Sequence, residues 1–264
     1  MKNILVPIGI NPNAVNTLQY AIDLADVFGS DIYLMQAYTL ISRAGSFGNV
    51  EGKVAQSSMS SLKDLIKKVD TKGVQVRVAT YKGTVEEGVN AIDKEYGIDL
   101  IVLEPKSTDI REEVFLGNTS GRIVKKSHIP ALIVPEGNTF SPYESGLVAF
   151  KSGIVEDNSL LDTLALFKEK FKTKLSLLFV KTPMFTEPDG VIDPALDALG
   201  DDVQRTVNST TFEGVLEHFQ KNNPDLLVVF RRKRGFFKKL WEKDIILKQE
   251  FRCSIPLLVL SQKK

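Results

Sequence analysis

Short apolar runs rich in β-branched residues alternate along the chain with longer stretches whose apolar residues recur every three or four positions. Ile4 to Ile8 predicts a strand. The helix that follows, from about Pro12, puts Val15, Leu18, Ala21, Ile22, Ala25 and Phe28 on one face and stops at Gly29. Asp31 to Ala37 predicts a second strand, and a Gly/Ser-rich loop falls at about 44–53. The next helix aligns Val54, Met59, Leu62, Leu65, Ile66 and Val69. Alternation at Val74, Val76 and Val78 gives a third strand, and Thr84 with Glu87 has the spacing of a capping box opening a further helix. Strands at Asp99 to Leu103 and Ala131 to Val134 complete a β-α-β-α-β-α-β-α-β unit. Their near-continuous apolar character predicts a parallel sheet covered on both faces.

The second half repeats the first. Asp225 to Val229 matches Asp99 to Leu103, and each is followed at the same distance by an Ile-Pro and an apolar strand, so the copies are offset by 126 residues. Leu147 to Phe150 and Leu175 to Val180 predict strands around a helix marked by Leu160, Leu164, Phe167 and Phe171. Phe212, Val215, Leu216 and Phe219 mark a later helix, and Leu257 to Leu260 is the last strand. Between Thr182 and Gly200 the copy is Pro-rich and short, which predicts a stunted or irregular second helix. The stretch Pro135 to Gly146 has the composition of an exposed linker and sets a boundary near residue 142, between domains 1–138 and 143–264.

Composition narrows the function classes. The chain has 264 residues, 43% hydrophobic and 25% charged, which suits about two globular domains. A net charge of +1 gives no global case for nucleic acid or an anionic membrane. The single cysteine, Cys253, excludes an internal disulfide and a multi-cysteine metal site and suits a reducing compartment. MKNILVPIGI lacks a signal-peptide core, and no segment approaches a membrane span of about 20 apolar residues, so a cytoplasmic protein is expected.

The residues NILVPIGINPNAVNTLQYAIDLADVFGSDIYLMQAY, DLIVL and LGNTSGRIVKKSHIPALIVPEG, with DLLVVF, KRGFFKKLW and SIPLLVL in the second copy, resemble the universal stress protein family in its tandem form. The resemblance implies two Rossmann-like domains of the adenine nucleotide α-hydrolase type. Each has a five-stranded, mainly parallel sheet, and the two pair about a pseudo-twofold axis within the chain, often through the last strand of each unit. ATP-binding members resemble one another in a G-x2-G-x9-G-[ST] pattern after the fourth strand and in an acid after the first. The glycines let the backbone wrap the phosphates, and the carboxylate takes the ribose hydroxyls.

Set against that pattern, the first copy keeps Gly117 with Asn118, Thr119 and Ser120 as a polar helix start, while the two earlier glycine positions fall on Glu104 and Ser107 and the acidic position on Gly9. A carboxylate where phosphate would pass is repulsive. In the second copy the glycine positions fall on Phe230, Lys233 and Lys243, and the acidic position on or next to Lys151. What the resemblance implies is a non-catalytic member with the ATP motif eroded in both copies and no cofactor, acting through protein association or small-ligand sensing. The alternative is an ATP- or AMP-binding protein using the first copy, with Pro7, Gly9 and Gly117, Asn118, Thr119 and Ser120 as its site. A protein partner or homodimer is left open, and neither nucleic acid nor membrane is expected.

Other candidates carry little chemistry. Arg231 to Trp241 places six cations among Phe236, Phe237 and Trp241; it suits phosphate, nucleic acid or membrane contact, or simply a solvated face anchored by its rings. Its charge is opposite to that of Glu104, Asp109, Glu112 and Glu113 in the first copy, so complementary charge is expected to help fix domain pairing or partner orientation. His128 and His218 occupy non-equivalent places without ligands at metal spacing and read as structural or exposed. Cys253, matched by Ser127, reads as a small buried residue. No nucleophile elbow or acid/base pair appears, so catalysis is not expected.

Overall fold

The computed structural model describes residues 1–9, 11–39, 50–105, 117–231 and 254–261. The first half runs β1 (Asn3–Pro7), α1 (Ala14–Phe28), β2 (Asp31–Tyr38), α2 (Val50–Ile66), β3 (Val76–Lys82), α3 (Val85–Tyr96), β4 (Leu100–Leu103), α4 (Gly117–Lys126) and β5 (Ala131–Ile133). The second runs β6 (Ser145–Phe150), α5 (Asp162–Phe171), β7 (Lys174–Lys181), α6 (Pro194–Asp197), β8 (Asp202–Val207), α7 (Thr211–Asn222), β9 (Leu226–Phe230) and β10 (Leu257–Leu260).

The strands form one ten-stranded sheet in the order β3-β2-β1-β4-β5-β10-β9-β6-β7-β8. Every neighbouring pair is parallel except β5 with β10, where the halves meet. The expected junction between last strands is therefore present. Leu132 faces Leu258, its equivalent at the 126-residue offset, flanked by Ile133 with Leu257 and Ala131 with Val259. Two apolar clusters cover the sheet's two faces. One holds Leu18, Ile22, Leu62, Leu164 and Phe167; the other holds Val89, Ile92, Ile123, Val124 and Val215.

Local signals explain most boundaries. Gly29 closes α1 in the left-handed region at φ 67°, and Thr84 and Glu87 exchange the two hydrogen bonds of a capping box at α3. The third strand starts two residues later than the alternation predicted, at Val76, although Val74 still packs on the same core. Helix α2 reaches back to Val50, into the expected Gly/Ser loop, whose residues 44–49 lie outside the described ones. The stunted segment of the second half is a 3₁₀ turn at Glu187–Gly190 followed by the four-residue α6.

The linker is exposed as expected at Glu136, Gly137, Thr139, Ser141 and Pro142, but two of its rings are anchored on the helices. Tyr143 is 1% exposed, stacked on Phe167 with centroids 5.6 Å apart and hydrogen-bonded through its hydroxyl to Tyr20 of α1 at 2.6 Å. Phe140 meets Tyr20 edge-on at 5.4 Å, and Phe28 of α1 meets Phe167 and Phe171 of α5, each at 5.5 Å. Composition concealed this because a few aromatic residues within a polar stretch, not the stretch's average, decide what is buried.

Candidate functional site

In an open parallel sheet, ligands bind where the strand order reverses, beyond the carboxyl ends of the strands. In the first half that crevice lies between β1, which also pairs with β2, and β4. Chain leaving β1 passes Pro7, the exposed Gly9 and Asn11 before α1 begins; chain leaving β4 reaches Glu104 at once.

Glu104 is held here by the opposite loop. Asn11 Nδ2 donates to Glu104 Oε1, and Asn13 Nδ2 donates to Oε2 at 3.5 Å. Asn13 occupies the N-cap position of α1 yet makes no side-chain cap; its amide serves Glu104 and Thr17 Oγ1 instead. Ser120 Oγ, in the first turn of α4, donates to the Glu104 carbonyl at 2.9 Å. Burial pushes the Glu104 carboxyl above its ordinary range; bonds from Asn11, Asn13 and Thr17 pull the other way, and the charge of Glu136 adds to the rise. Asn11 Oδ1 is enclosed with no hydrogen-bond partner among the described residues.

The sequence-derived site residues fall around this cluster. Pro7 ends β1 in register with Met35, and Gly9 lies 3.6 Å from Asn11 Nδ2 measured from a built Cβ, an ordinary contact. A side chain would therefore fit at position 9. Gly117, Asn118 and Thr119 form the first turn of α4, with side chains outside the described residues, and Ser120 is spent on the β4 end. Asn11 and Asn13 were not singled out in the sequence. Two amides just after the first strand, at the height of an intruding carboxylate, were the signal.

The crevice of the second half, between β6 and β9, is filled differently. Phe150 ends β6 and Phe230, the counterpart of Glu104, ends β9; their rings meet edge-on at 6.3 Å. Phe179 of β7 packs on Phe150 at 5.9 Å, and Phe185 packs on Phe179 at 6.0 Å. Phe150, Phe179 and Phe230 are 2–5% exposed. The loop after β6 is roofed by the shortened segment: Gly153 N donates to Asp189 O and Asp193 N donates to Gly153 O, both at 2.9 Å.

Arg231, directly after Phe230, crosses to the first half. Its Nη1 donates to the carbonyls of Val124 at 3.4 Å, Lys125 at 3.1 Å and Ser127, at the C-terminal end of α4. A cation suits that end of a helix dipole, while burial lowers the pKa of this guanidinium. The rest of the basic stretch, with Cys253, lies outside the described residues, as do Asp109, Glu112 and Glu113. The expected charge pairing therefore reduces to Glu104, whose hydrogen-bond partners Asn11, Asn13 and Ser120 all belong to its own half.

His128 Nε2 lies 3.1 Å from Asp93 Oδ2, tying the end of α4 to α3, and His218 Nδ1 meets the Gly214 carbonyl one turn back at 2.9 Å. Among the described residues no three His, Cys, Asp or Glu side chains are grouped to hold a metal, and no helix is long and apolar enough to cross a membrane.

Comparison with known proteins agrees with this architecture. The model of the universal stress protein family matches residues 1–135. A universal stress protein of Methanocaldococcus jannaschii is 21% identical over 138 residues, half of this chain and 81% of its own length. The crystal structure of a universal stress protein from Archaeoglobus fulgidus superposes with a TM-score of 0.72 at 15% identity, covering 98% of this chain and 96% of that one. A protein of Pseudomonas aeruginosa described as functionally unknown superposes at 0.60 with 14% identity, covering 98% and 92%.

Proposed function

The chain belongs to the universal stress protein family, and from that premise we propose that it is a non-catalytic tandem member, with domains at 1–138 and 143–264, whose two nucleotide crevices are filled by its own side chains. Its role is then association with other proteins or sensing of a small ligand. One observation carries this reading: the Glu104 carboxyl, gripped by Asn11 and Asn13, stands at the first crevice where a phosphate would approach. A second anion brought beside it meets like charge in a partly dehydrated place. The aromatic plug of Phe150, Phe179 and Phe230 supports the same reading for the second half, since apolar rings offer a triphosphate no donors.

The test is nucleotide content. Purified protein is denatured and the supernatant analysed by mass spectrometry, and the intact chain is titrated with ATP and magnesium. Neither bound nucleotide nor saturable binding is expected. Release of ATP or AMP at near one per chain would overturn the proposal in favour of a nucleotide binder using the first turn of α4.

A further inference from the structure

The second half lacks the helix that covers its outer strands. In the first half α2 lies over β2 and β3, with Leu62 2% exposed and Leu65 and Ile66 packed against the core. In the second, the intervening chain makes only a 3₁₀ turn and α6. Phe185 reaches Phe179, and Gly200 sits against Leu177, so β7 is partly covered. The outer strand β8 is not. Its register sets Val203, Arg205 and Val207 beside Leu177, Phe179 and Lys181, on the same face as the α2 core. Val203 and Val207 are 41% and 77% exposed, and Val191 of the shortened segment is 67% exposed.

Two cations border this apolar strip. Lys181 Nζ stands 4.3 Å from the Phe185 ring centroid, and Arg205 Cζ stands 5.3 Å from that of Phe179. Among the described residues neither has a carboxylate at ion-pair distance. The acids just before Arg205 in sequence are engaged elsewhere: Asp201 with Lys168 at 2.8 Å, and Asp202 with Ser176 Oγ at 2.6 Å and Gln204 Nε2 at 3.0 Å.

We propose that this face of β7 and β8 docks an amphipathic helix of a partner protein, one with an apolar stripe at three- and four-residue spacing and acidic residues along its flank. The repeat supplies the form of the occupant, because the complete half covers the same face with such a helix. Lys181 and Arg205 supply its charge. The proposal rests on the protein-association reading and gives it a surface. Nucleotide content is measured separately, so a negative result here leaves the filled crevices standing.

The probe is a labelled 17-residue peptide with a leucine stripe flanked by glutamates, titrated into the full chain by fluorescence anisotropy beside a lysine-flanked peptide of the same stripe. Saturable binding of the acidic peptide is expected, at least tenfold tighter than the lysine form. V203D/V207D should weaken it tenfold or more, and K181E/R205E should reverse the preference between peptides. Circular dichroism of each variant establishes that it is folded, as substitutions at exposed positions should leave it. Failure of the acidic peptide to bind, binding unchanged by V203D/V207D, or sedimentation showing that V207D dissociates a dimer of this chain would each overturn the proposal, the last by assigning the face to a second copy.

Discussion

Leu132 and Leu258 lie directly opposite each other in the antiparallel β5–β10 pair, and they are the same position of the two halves. A pseudo-twofold axis therefore passes between two fully buried leucines, as it would in an isologous dimer. Because the contact is central to the shared core, Leu258→Ala should cost about 2–5 kcal/mol in urea unfolding, and Leu132→Ala a similar amount. A loss below about 1 kcal/mol for either would show that the junction is not a core contact.

Glu104 makes the stability of the chain depend on pH in a defined direction. Burial raises its folded pKa above the unfolded value, so the folded state holds the proton more tightly; this contribution is fully present below the ordinary carboxylate range and is lost as pH rises through the raised pKa. Glu104→Gln removes the titration. The stability of the variant relative to the wild type, read from unfolding midpoints, should therefore increase as pH rises from the ordinary carboxylate range through the raised pKa. A difference that stays flat across that range would show that the carboxyl is not shifted.

Gly153→Ala should loosen the roof over the second crevice. A Cβ there would lie 2.4 Å from the Val191 carbonyl oxygen and 2.6 Å from Ile192 Cα, both backbone atoms that cannot turn aside. The expected loss is about 1–3 kcal/mol, read as a lowered Tm. Gly9→Ala, where the same atom meets only a 3.6 Å contact, is the control and should be near neutral.

The hydroxyl pair Tyr20–Tyr143 predicts a non-additive double-mutant cycle. Burial pushes both phenols up, and each hydroxyl has the other as its partner at 2.6 Å. Removing one hydroxyl strands the other, so Tyr143→Phe should cost about 1–3 kcal/mol, while Tyr20→Phe and Tyr143→Phe together should cost less than the sum of the singles. Additive losses would mean that the hydroxyls act independently.

Much of the architecture was legible because the parallel strands and their helices obey simple periods. The unbroken apolar run that marks β1 is absent from β8, however, and the strand escaped notice although Asp202–Val207 repeats the place of Val76 at the 126-residue offset. Its exposed valines and Arg205 break the pattern of a covered strand because the covering helix is missing. At the crevice, the position of Glu104 could be read from the spacing of Gly117, but its partners could not. Asn11 and Asn13 come from a loop about ninety residues earlier in the chain, and only the parallel pairing of β1 with β4 brings them together. Tyr143 shows the same limit, being a polar-looking linker residue whose burial depends on rings from α1 and α5.

The β5–β10 junction has one more effect. In a dimer of identical chains each substitution appears on both sides of the axis, so both clefts must change together. Here the two sides are encoded separately, and they differ: an acid held by amides stands beyond β4 on one side, and edge-on rings with a shortened segment stand beyond β6 and β9 on the other.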